Sequence, residues 1–184
     1  MSYVTTIVRQ LKEFLSNPRR IIRFVPYLIY KQLFNWHEEY RYETYRQLYG
    51  IDPTFRFGGI NILLYGAGRI VGGKNSYIGN YSTIFSDEGC EVSIGTGCAI
   101  GHNVRIYTQS YIADQDFGTS RNLKRASVTI QDNVWIGASV LINPGITVGR
   151  NSVVGANSIV TKDVPPNAIV GGVPARLIRM KSNH

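Results

Sequence analysis

Aliphatic residues recur every six positions through the C-terminal half of the chain. Counting in sixes reaches Ile130, Ile136, Ile142, Val148, Val154 and Val160. Four residues after each of these comes a second series of small or β-branched residues: Val134, Val140, Ile146, Ser152, Ser158 and Val164. A period of six matches neither the α-helical period of 3.6 nor the alternation of a half-buried strand. It predicts a coil of short strands joined by turns, in which one aliphatic side chain per strand points inward and stacks on neighbouring coils.

Glycine and asparagine recur between these aliphatic positions. They are Gly137, Gly145, Gly149 and Gly155, with Asn143, Asn151 and Asn157. Such residues supply the tight or left-handed backbone that corners need. The predicted fold is therefore a parallel β-helix, an all-β solenoid. A sandwich of short strands is the alternative, but its turn signals would come every 8 to 12 residues.

The same repeat runs upstream and then stops. It is visible at Ile94, Ile100, Ile106 and Ile112, and it is lost in the polar residues 113–127. Because it lacks the aliphatic repeat, we expect this segment to protrude as a loop while the coils close beneath it. Loops on a rigid scaffold often carry function. Residues 165–184 are expected to cap the open end of the solenoid, with residues 175–180 as a short terminal helix or cap.

Residues 1–50 lack the repeat and form a separate basic, aromatic helical arm before a solenoid domain of residues 51–184. Helical spacing of apolar residues predicts two helices, broken around Ser16, Asn17 and Pro18, because a residue before proline disfavours helix. The run from Arg19 to Trp36 has the composition of a helix on a membrane surface. The alternative is an arm that packs on the solenoid or on a neighbouring subunit.

The net charge of +8 indicates an anionic partner, either a polyanionic small molecule or a membrane surface. Nucleic acid is not expected, since nothing resembles an RNA-recognition or helix-turn-helix module. The two cysteines, Cys90 and Cys98, are too few for a disulfide scaffold and lack a zinc-binding pattern. With no signal-peptide pattern, we expect a reduced cytoplasmic protein, membrane-associated if the arm binds lipid.

The stretch NVWIGASVLINPGITVGRNSVVGANSIVTKDVPPNAIVGGVPARLIR resembles the hexapeptide-repeat acyltransferases, in particular the galactoside, maltose and polysaccharide O-acetyltransferases. The likeness extends over residues 78–179. It implies a left-handed parallel β-helix of triangular section, assembled as a homotrimer, with acetyl-CoA as co-substrate and a sugar or glycan as acceptor. The handedness comes from the resemblance alone.

The resemblance also implies roles for individual residues. Ala138 and Ala156 match the small residues that face the pantetheine arm, while Thr161 and Lys162 match the strip beside the nucleotide. Arg176 and Arg179 match the basic residues that lie near the phosphates of the cofactor in this family, where cationic side chains are favoured. The alternative is that Lys162 is a solvated corner residue and the two arginines form a basic cap. Trp135 matches a tryptophan of the family that either walls the acceptor pocket or fills the seam between subunits.

The catalytic centre departs from the family pattern. Acyl transfer to a hydroxyl needs a general base, and in these relatives a histidine supplies it. One alignment puts Tyr111 at that histidine, and another puts residues 114–118, DQDFG, at a histidine-containing segment. The candidates for the catalytic group are therefore Tyr111 and His102, the latter being the one histidine among the hexads. Asp87 and Gln115 are candidates for the acceptor pocket; Asp87, with Asp114 and Asp116, could also assist as a base or be a turn or loop residue.

Two functions follow from these observations. The first is an acetyl-CoA-dependent O-acetyltransferase acting on a sugar or polysaccharide precursor of the capsule or O-antigen type, with an atypical catalytic centre. The second is a non-catalytic trimeric scaffold of the same fold in glycan biosynthesis. A metal-dependent solenoid would need several converging histidines. With three histidines in the chain, no metal site is expected.

Overall fold

The computed structural model describes residues 18–182, with side chains from residue 25 onward. Two compact units divide the chain, Met1–Arg41 and Tyr42–His184. Helix α1 (Pro18–Leu48) starts in the first unit and ends in the second. It begins at a proline, whose missing amide proton costs nothing in the first turn of a helix. The first of the two helices predicted for the arm lies outside the described residues.

The second unit is a solenoid of three parallel sheets that the chain visits in turn. The strands of sheet A are β1 (Gly50–Ile51), β4 (Arg69–Gly72), β7 (Glu91–Ile94), β12 (Val128–Ile130) and β15 (Thr147–Val148). Those of sheet B are β2 (Arg56–Gly58), β5 (Tyr77–Gly79), β8 (Ala99–Ile100), β13 (Trp135–Ile136), β16 (Val153–Val154), β18 (Ala168–Gly171) and β19 (Arg176–Met180). Those of sheet C are β3 (Leu63–Tyr65), β6 (Thr83–Phe85), β9 (Arg105–Tyr107), β14 (Leu141–Ile142) and β17 (Ile159–Val160). The predicted fold class, a left-handed parallel β-helix with a helical arm and a C-terminal cap, is confirmed.

The core consists of the residues that the six-residue period selects. Ile100, Ile136 and Val154 lie in register on adjacent strands of sheet B, and each is fully buried. The second series is buried too, including the hydroxyls of Ser152 and Ser158, which donate hydrogen bonds to carbonyls of their own coil. Burial of one such aliphatic side chain contributes about 1.5 to 3 kcal/mol. Stacked identical positions therefore hold the coils in register.

Left-handed backbone occurs at one residue in each hexad corner. In the C-terminal coils these residues are Asn133, Ser139, Gly145, Asn151 and Asn157, with φ between 55 and 85°. Of the two roles predicted for Gly137, Gly149, Gly155 and Asn143, tight or left-handed backbone, the left-handed one does not apply. Gly137 is needed for a different reason, because a Cβ there would lie 2.5 Å from the backbone nitrogen of Ala156 in the next coil.

The loop is a β-hairpin that leaves the solenoid and returns to it. Strands β10 (Gln109–Tyr111) and β11 (Leu123–Arg125) pair antiparallel. The solenoid resumes at β12, whose Ile130 pairs with Ile94 of β7. The prediction that Ile112 continues the core is wrong, since its side chain is 42% exposed in the hairpin. The chain therefore leaves the solenoid core after Ile106, although the six-residue spacing in the sequence continues to Ile112.

The C-terminal segment forms a strand where a short helix was one of two expectations. Strand β19 pairs antiparallel with β18, so the chain folds back on the last strand of sheet B. The turn uses Gly172, whose φ of 99° favours glycine. A strand is preferred over a helix because it satisfies the open edge of β18, whose amides and carbonyls would otherwise lack partners. The predicted capping role of this segment is confirmed.

Candidate functional site

Three of the candidate residues form a column along one edge of the solenoid. We call the line of corners between sheets B and C the B–C edge. His102, Ala138 and Ala156 occupy equivalent positions there in successive coils, each two residues after a buried core position. The amide of Ser139 donates to the carbonyl of His102 at 2.8 Å, and the amide of Asn157 donates to that of Ala138 at 2.9 Å. Sequence reasoning did not place His102 in line with the two alanines.

The imidazole of His102 has a fixed partner on the coil below. Its Nδ1 accepts a hydrogen bond from the backbone amide of Asn80 at 3.2 Å. Asn80 is held in turn, because its Oδ1 accepts the amide of Ile60 at 2.9 Å. A nitrogen that accepts a hydrogen bond carries no proton, so the neutral ring has its proton on Nε2. The exposed side of His102 is therefore a hydrogen-bond donor, and it is poorly suited to accept a proton there.

The B–C edge is lined by small residues because the coils approach closely. A Cβ on Gly101 would lie 2.9 Å from the backbone nitrogen of Ala138, which leaves no room for a larger residue. Ala138 is half-buried and Ala156 is exposed. The edge thus offers a narrow surface of backbone and methyl groups that leads to the ring of His102. An extended, thin ligand fits such a surface.

An exposed tryptophan flanks this edge. Trp135 lies on the outer face of sheet B between Ala99 and Val153, and 57% of it is exposed. Further along the same face, Val153 pairs with Ile169, and Ile169 pairs with Arg179. Trp135 and Arg179 are therefore three strands apart on one face. The guanidinium of Arg179 is exposed, with Nη1 donating to the carbonyl of Met180 at 3.2 Å.

The base of the hairpin is fixed to a different edge, which lies between sheets C and A and which we call the C–A edge. Asp87 lies at this edge, and its Oδ2 accepts a hydrogen bond from Nε of Arg125 at 2.5 Å. The Asp87 amide donates to Oγ1 of buried Thr108 at 2.8 Å, and the amide of Ala126 donates to the Thr108 carbonyl at 2.9 Å. Nearby at this edge, burial and then Tyr65 raise the pKa of Tyr107, so its phenol stays protonated. The Asp87 carboxylate thus acts as an anchor of the hairpin.

Gln115 holds the tip of the hairpin together. Its Nε2 donates to the carbonyls of Ile112 and Asn122, at 2.6 and 3.0 Å, and its Oε1 accepts the Asn122 amide at 2.6 Å. Asp116 caps the adjacent turn by accepting from the amide of Gly118 and the hydroxyl of Thr119. The side chains of Gln115 and Asp116 therefore form hydrogen bonds within the hairpin itself.

Two aromatic side chains of the hairpin, Tyr111 and Phe117, face solvent. Tyr111 is 53% exposed, and its ring contacts that of Phe117 edge-on at a centroid distance of 5.7 Å. Asp114 is also exposed. Among the candidates for a proton acceptor, these groups are available on the hairpin.

A cleft of about 230 Å³ lies at the C-terminal end of the solenoid. Lys162 and Arg176 line it together with Asp163, over an apolar floor that includes Val160 and Val164. Thr161 is exposed next to Lys162. Asp163 is engaged by the amide of Thr147, which donates to its Oδ1 at 2.7 Å. The cleft therefore combines two cationic side chains with one acidic group that already accepts a backbone hydrogen bond.

Eight of the candidate residues fall on two separate edges of a single chain, while Trp135, Arg176 and Arg179 belong to strands of sheet B. His102, Ala138 and Ala156 share the B–C edge, whereas Asp87, Tyr111, Gln115, Thr161 and Lys162 lie at or beyond the C–A edge. Sequence reasoning did not single out Asn80 or Arg125. The sequence does indicate that Asn80 is next to His102, because Ile78-Gly79-Asn80 and Ile100-Gly101-His102 occupy equivalent positions in adjacent coils. Arg125 had no comparable signal. No cluster of three or more metal-ligating side chains occurs within residues 18–182.

A family model described as bacterial transferase hexapeptide (six repeats) matches residues 127–162. Galactoside O-acetyltransferase of Escherichia coli (strain K12) is 43% identical over 107 residues, which are 58% of this chain and 52% of that protein. The chain spans about half the length of the curated relatives that it matches first.

Solved structures extend the similarity over most of the chain. A hexapeptide-repeat acetyltransferase from Vibrio cholerae, in complex with acetyl coenzyme A, has a TM-score of 0.66 and 32% identity, with 79% of each chain covered. A maltose O-acetyltransferase from Clostridium difficile 630 has a TM-score of 0.59 and 32% identity, covering 83% of this chain and 84% of that one. On the repeat, the solenoid and these similarities, the chain belongs to the hexapeptide-repeat acetyltransferase family.

Proposed function

We propose that the protein is an acetyl-CoA-dependent O-acetyltransferase acting on a sugar or glycan precursor. The observation that carries the proposal is the column of Ala156, Ala138 and His102 along the B–C edge. The similar Vibrio cholerae protein was solved with acetyl coenzyme A, which supports the same co-substrate here. The thin pantetheine arm suits a surface of methyl and backbone groups. The column would direct the thioester end of that arm towards His102.

The role we assign to His102 follows from its hydrogen bond to Asn80. With Nδ1 accepting from that amide, the ring presents Nε2–H outward. Such a donor stabilises the negative charge that develops on the thioester oxygen as the acceptor hydroxyl attacks. The proton of that hydroxyl needs another acceptor. On the hairpin, the exposed carboxylate of Asp114 suits this role better than the phenol of Tyr111, because a carboxylate offers two acceptor oxygens whereas a phenol carries its own proton.

The proposal includes a homotrimer in which the site is shared between copies. Within one chain, His102 and the hairpin lie at different edges. A copy placed edge to edge would bring the hairpin of one chain to the B–C edge of the next. The acceptor pocket would then form between Trp135 of one copy and Tyr111, Asp87 and Gln115 of the other. The basic residues Lys162, Arg176 and Arg179 lie near the C-terminal end, where they would neutralise the phosphates of the nucleotide.

Titration calorimetry with coenzyme A tests the cofactor half of this proposal. Ala138→Trp would fill the B–C edge and should weaken binding at least tenfold. Thr96→Trp places the same bulk at an exposed corner between sheets A and B and serves as the control. Equal binding by both variants, or no binding by the unmodified protein, would refute the assignment.

A non-catalytic scaffold is the second candidate, and one observation favours it. Asp87, Gln115 and Asp116 are all engaged in holding the hairpin, so fewer polar groups remain for an acceptor. A scaffold would bind coenzyme A or a glycan and consume no thioester. Steady release of coenzyme A in the presence of a sugar acceptor excludes it.

A further inference from the structure

Helix α1 carries an exposed apolar stripe along one side. Val25, Ile29, Leu33 and Trp36 recur at intervals of four, four and three, which places them on one face of a helix. Their exposed fractions are 44, 55, 56 and 65%. A face of this kind, left open to water, normally has a partner.

The covered side of the same helix is elsewhere. Phe34 is half-buried, and Glu38 is 4% exposed and paired with Arg41. At 100° per residue, these three positions lie about 150° around the helix from the stripe. The stripe is therefore directed away from the side that Phe34 and Glu38 cover in the later turns, although Tyr27 and Tyr30, earlier on that side, are themselves 54 and 64% exposed.

The charge of this helix indicates what covers the stripe. Between Pro18 and His37 the sequence has no acidic residue, whereas Arg19, Arg20, Arg23 and Lys31 are basic. No helix within the described part of the chain is long and apolar enough to cross a membrane. Apolar residues with tryptophan on one face, combined with basic residues, suit a helix that lies in the surface of a bilayer. Anionic headgroups then attract the arginines and lysine. A second copy of this helix would instead bring like charges together.

We propose that α1 binds the surface of an anionic phospholipid bilayer through Val25, Ile29, Leu33 and Trp36. The stripe enters the boundary between headgroups and acyl chains, and the basic residues contact lipid phosphates. Such binding would hold the solenoid beside a membrane. The inference does not depend on the proposed acetyl transfer.

Vesicle co-sedimentation of the full chain tests this inference. The probe is vesicles of phosphatidylcholine with 30% phosphatidylglycerol (about one anionic lipid in three, chosen to give a negative surface potential), compared with pure phosphatidylcholine. The unmodified protein should bind the anionic vesicles at least tenfold more strongly. Ile29→Gln with Leu33→Gln should reduce that binding at least tenfold.

The matched control is Leu28→Gln with Tyr30→Gln, which removes two exposed apolar side chains that flank the stripe. It should reduce binding less than threefold, and circular dichroism should show both variants folded. Failure of the unmodified protein to sediment with anionic vesicles would overturn the inference, as would equal losses in the two variants. A drop in oligomer mass for Ile29→Gln with Leu33→Gln, measured by light scattering without lipid, would show that copies of this chain cover the stripe instead.

Discussion

The imidazole Nδ1 of His102 accepts a hydrogen bond, at 3.2 Å, from the backbone amide of Asn80 in the adjacent coil of the solenoid. A histidine that serves as a general base at its exposed nitrogen would need the opposite tautomer. The neighbouring coil therefore determines which chemistry this side chain can perform.

Nitrogen-15 NMR of the imidazole tests that assignment. We expect the neutral ring to be protonated at Nε2, because the Asn80 amide is a donor and can pair only with an unprotonated Nδ1. Activity provides a second measurement. His102→Asn keeps an acceptor for the Asn80 amide and removes the outward donor, so acetyl transfer should fall about 10²- to 10³-fold. His102→Gln, whose amide reaches the outward position, should retain more of the rate. A proton on Nδ1 would contradict the assignment.

Mixing two inactive variants tests whether the site is shared between copies. His102→Ala removes the donor at the B–C edge, and a chain with residues 110–124 replaced by a two-residue turn removes the hairpin. Gln109 and Arg125 face each other across the hairpin, so the shortened chain can close there. Each variant alone should be inactive, and subunit exchange should restore part of the activity. Mixed oligomers that form and remain inactive would argue for a site within one chain.

The Asp87–Arg125 ion pair should control the order of the hairpin. Its side chains are 19% and 57% exposed, and pairs of this kind contribute only about 0.2 to 1 kcal/mol. Arg125→Ala should therefore speed hydrogen exchange in β10 and β11 while the free energy of unfolding of the solenoid stays nearly unchanged. Arg121→Ala, in the same hairpin, is the matched control. Unchanged exchange in Arg125→Ala would show that Thr108 and its backbone bonds suffice.

Two glycines at equivalent places should respond differently to alanine. A Cβ on Gly137 would lie 2.5 Å from the backbone nitrogen of Ala156, whereas a Cβ on Gly155 would lie no closer than 3.4 Å to the carbonyl oxygen of Val170. Overpacking typically costs about 1 to 3 kcal/mol, so Gly137→Ala should lower the free energy of unfolding by that amount. Gly155→Ala should be neutral or slightly stabilising. Urea denaturation at one fixed protein concentration measures both. Similar losses would mean that the coils are not in the close contact described.

The repeat made the solenoid predictable because each coil buries the same position. Ile136 and Val154 follow from counting alone, as does their stacking. The point at which the chain leaves the solenoid did not follow, because Ile112 satisfies the period and is nonetheless exposed in the hairpin. Local pattern cannot distinguish an aliphatic residue in a core from one in a paired strand outside it. The capping role of residues 175–180 was predicted, but their strand conformation was not, since pairing with β18 is a contact that no local propensity reports.

The candidate site was predictable in its parts and not in its arrangement. The position of His102 in the same column as Ala138 follows from the register of Ile100 and Ile136, between which the sequence carries the hairpin from Gln109 to Arg125. The partners of Asp87 and Gln115 depend on how the hairpin folds, and side chains such as Arg125 give no sign of this in the sequence.

Mass spectrometry of the acceptor tests the proposed acetyl transfer. The purified protein would be incubated with acetyl-CoA and a panel of galactosides, maltose and lipid-linked glycan precursors. We expect one acceptor to gain an acetyl ester while an equal amount of coenzyme A is released, and we expect Ala138→Trp to lose both. Intact acetyl-CoA and unmodified acceptors throughout the panel, from a protein that does not bind coenzyme A, would contradict it.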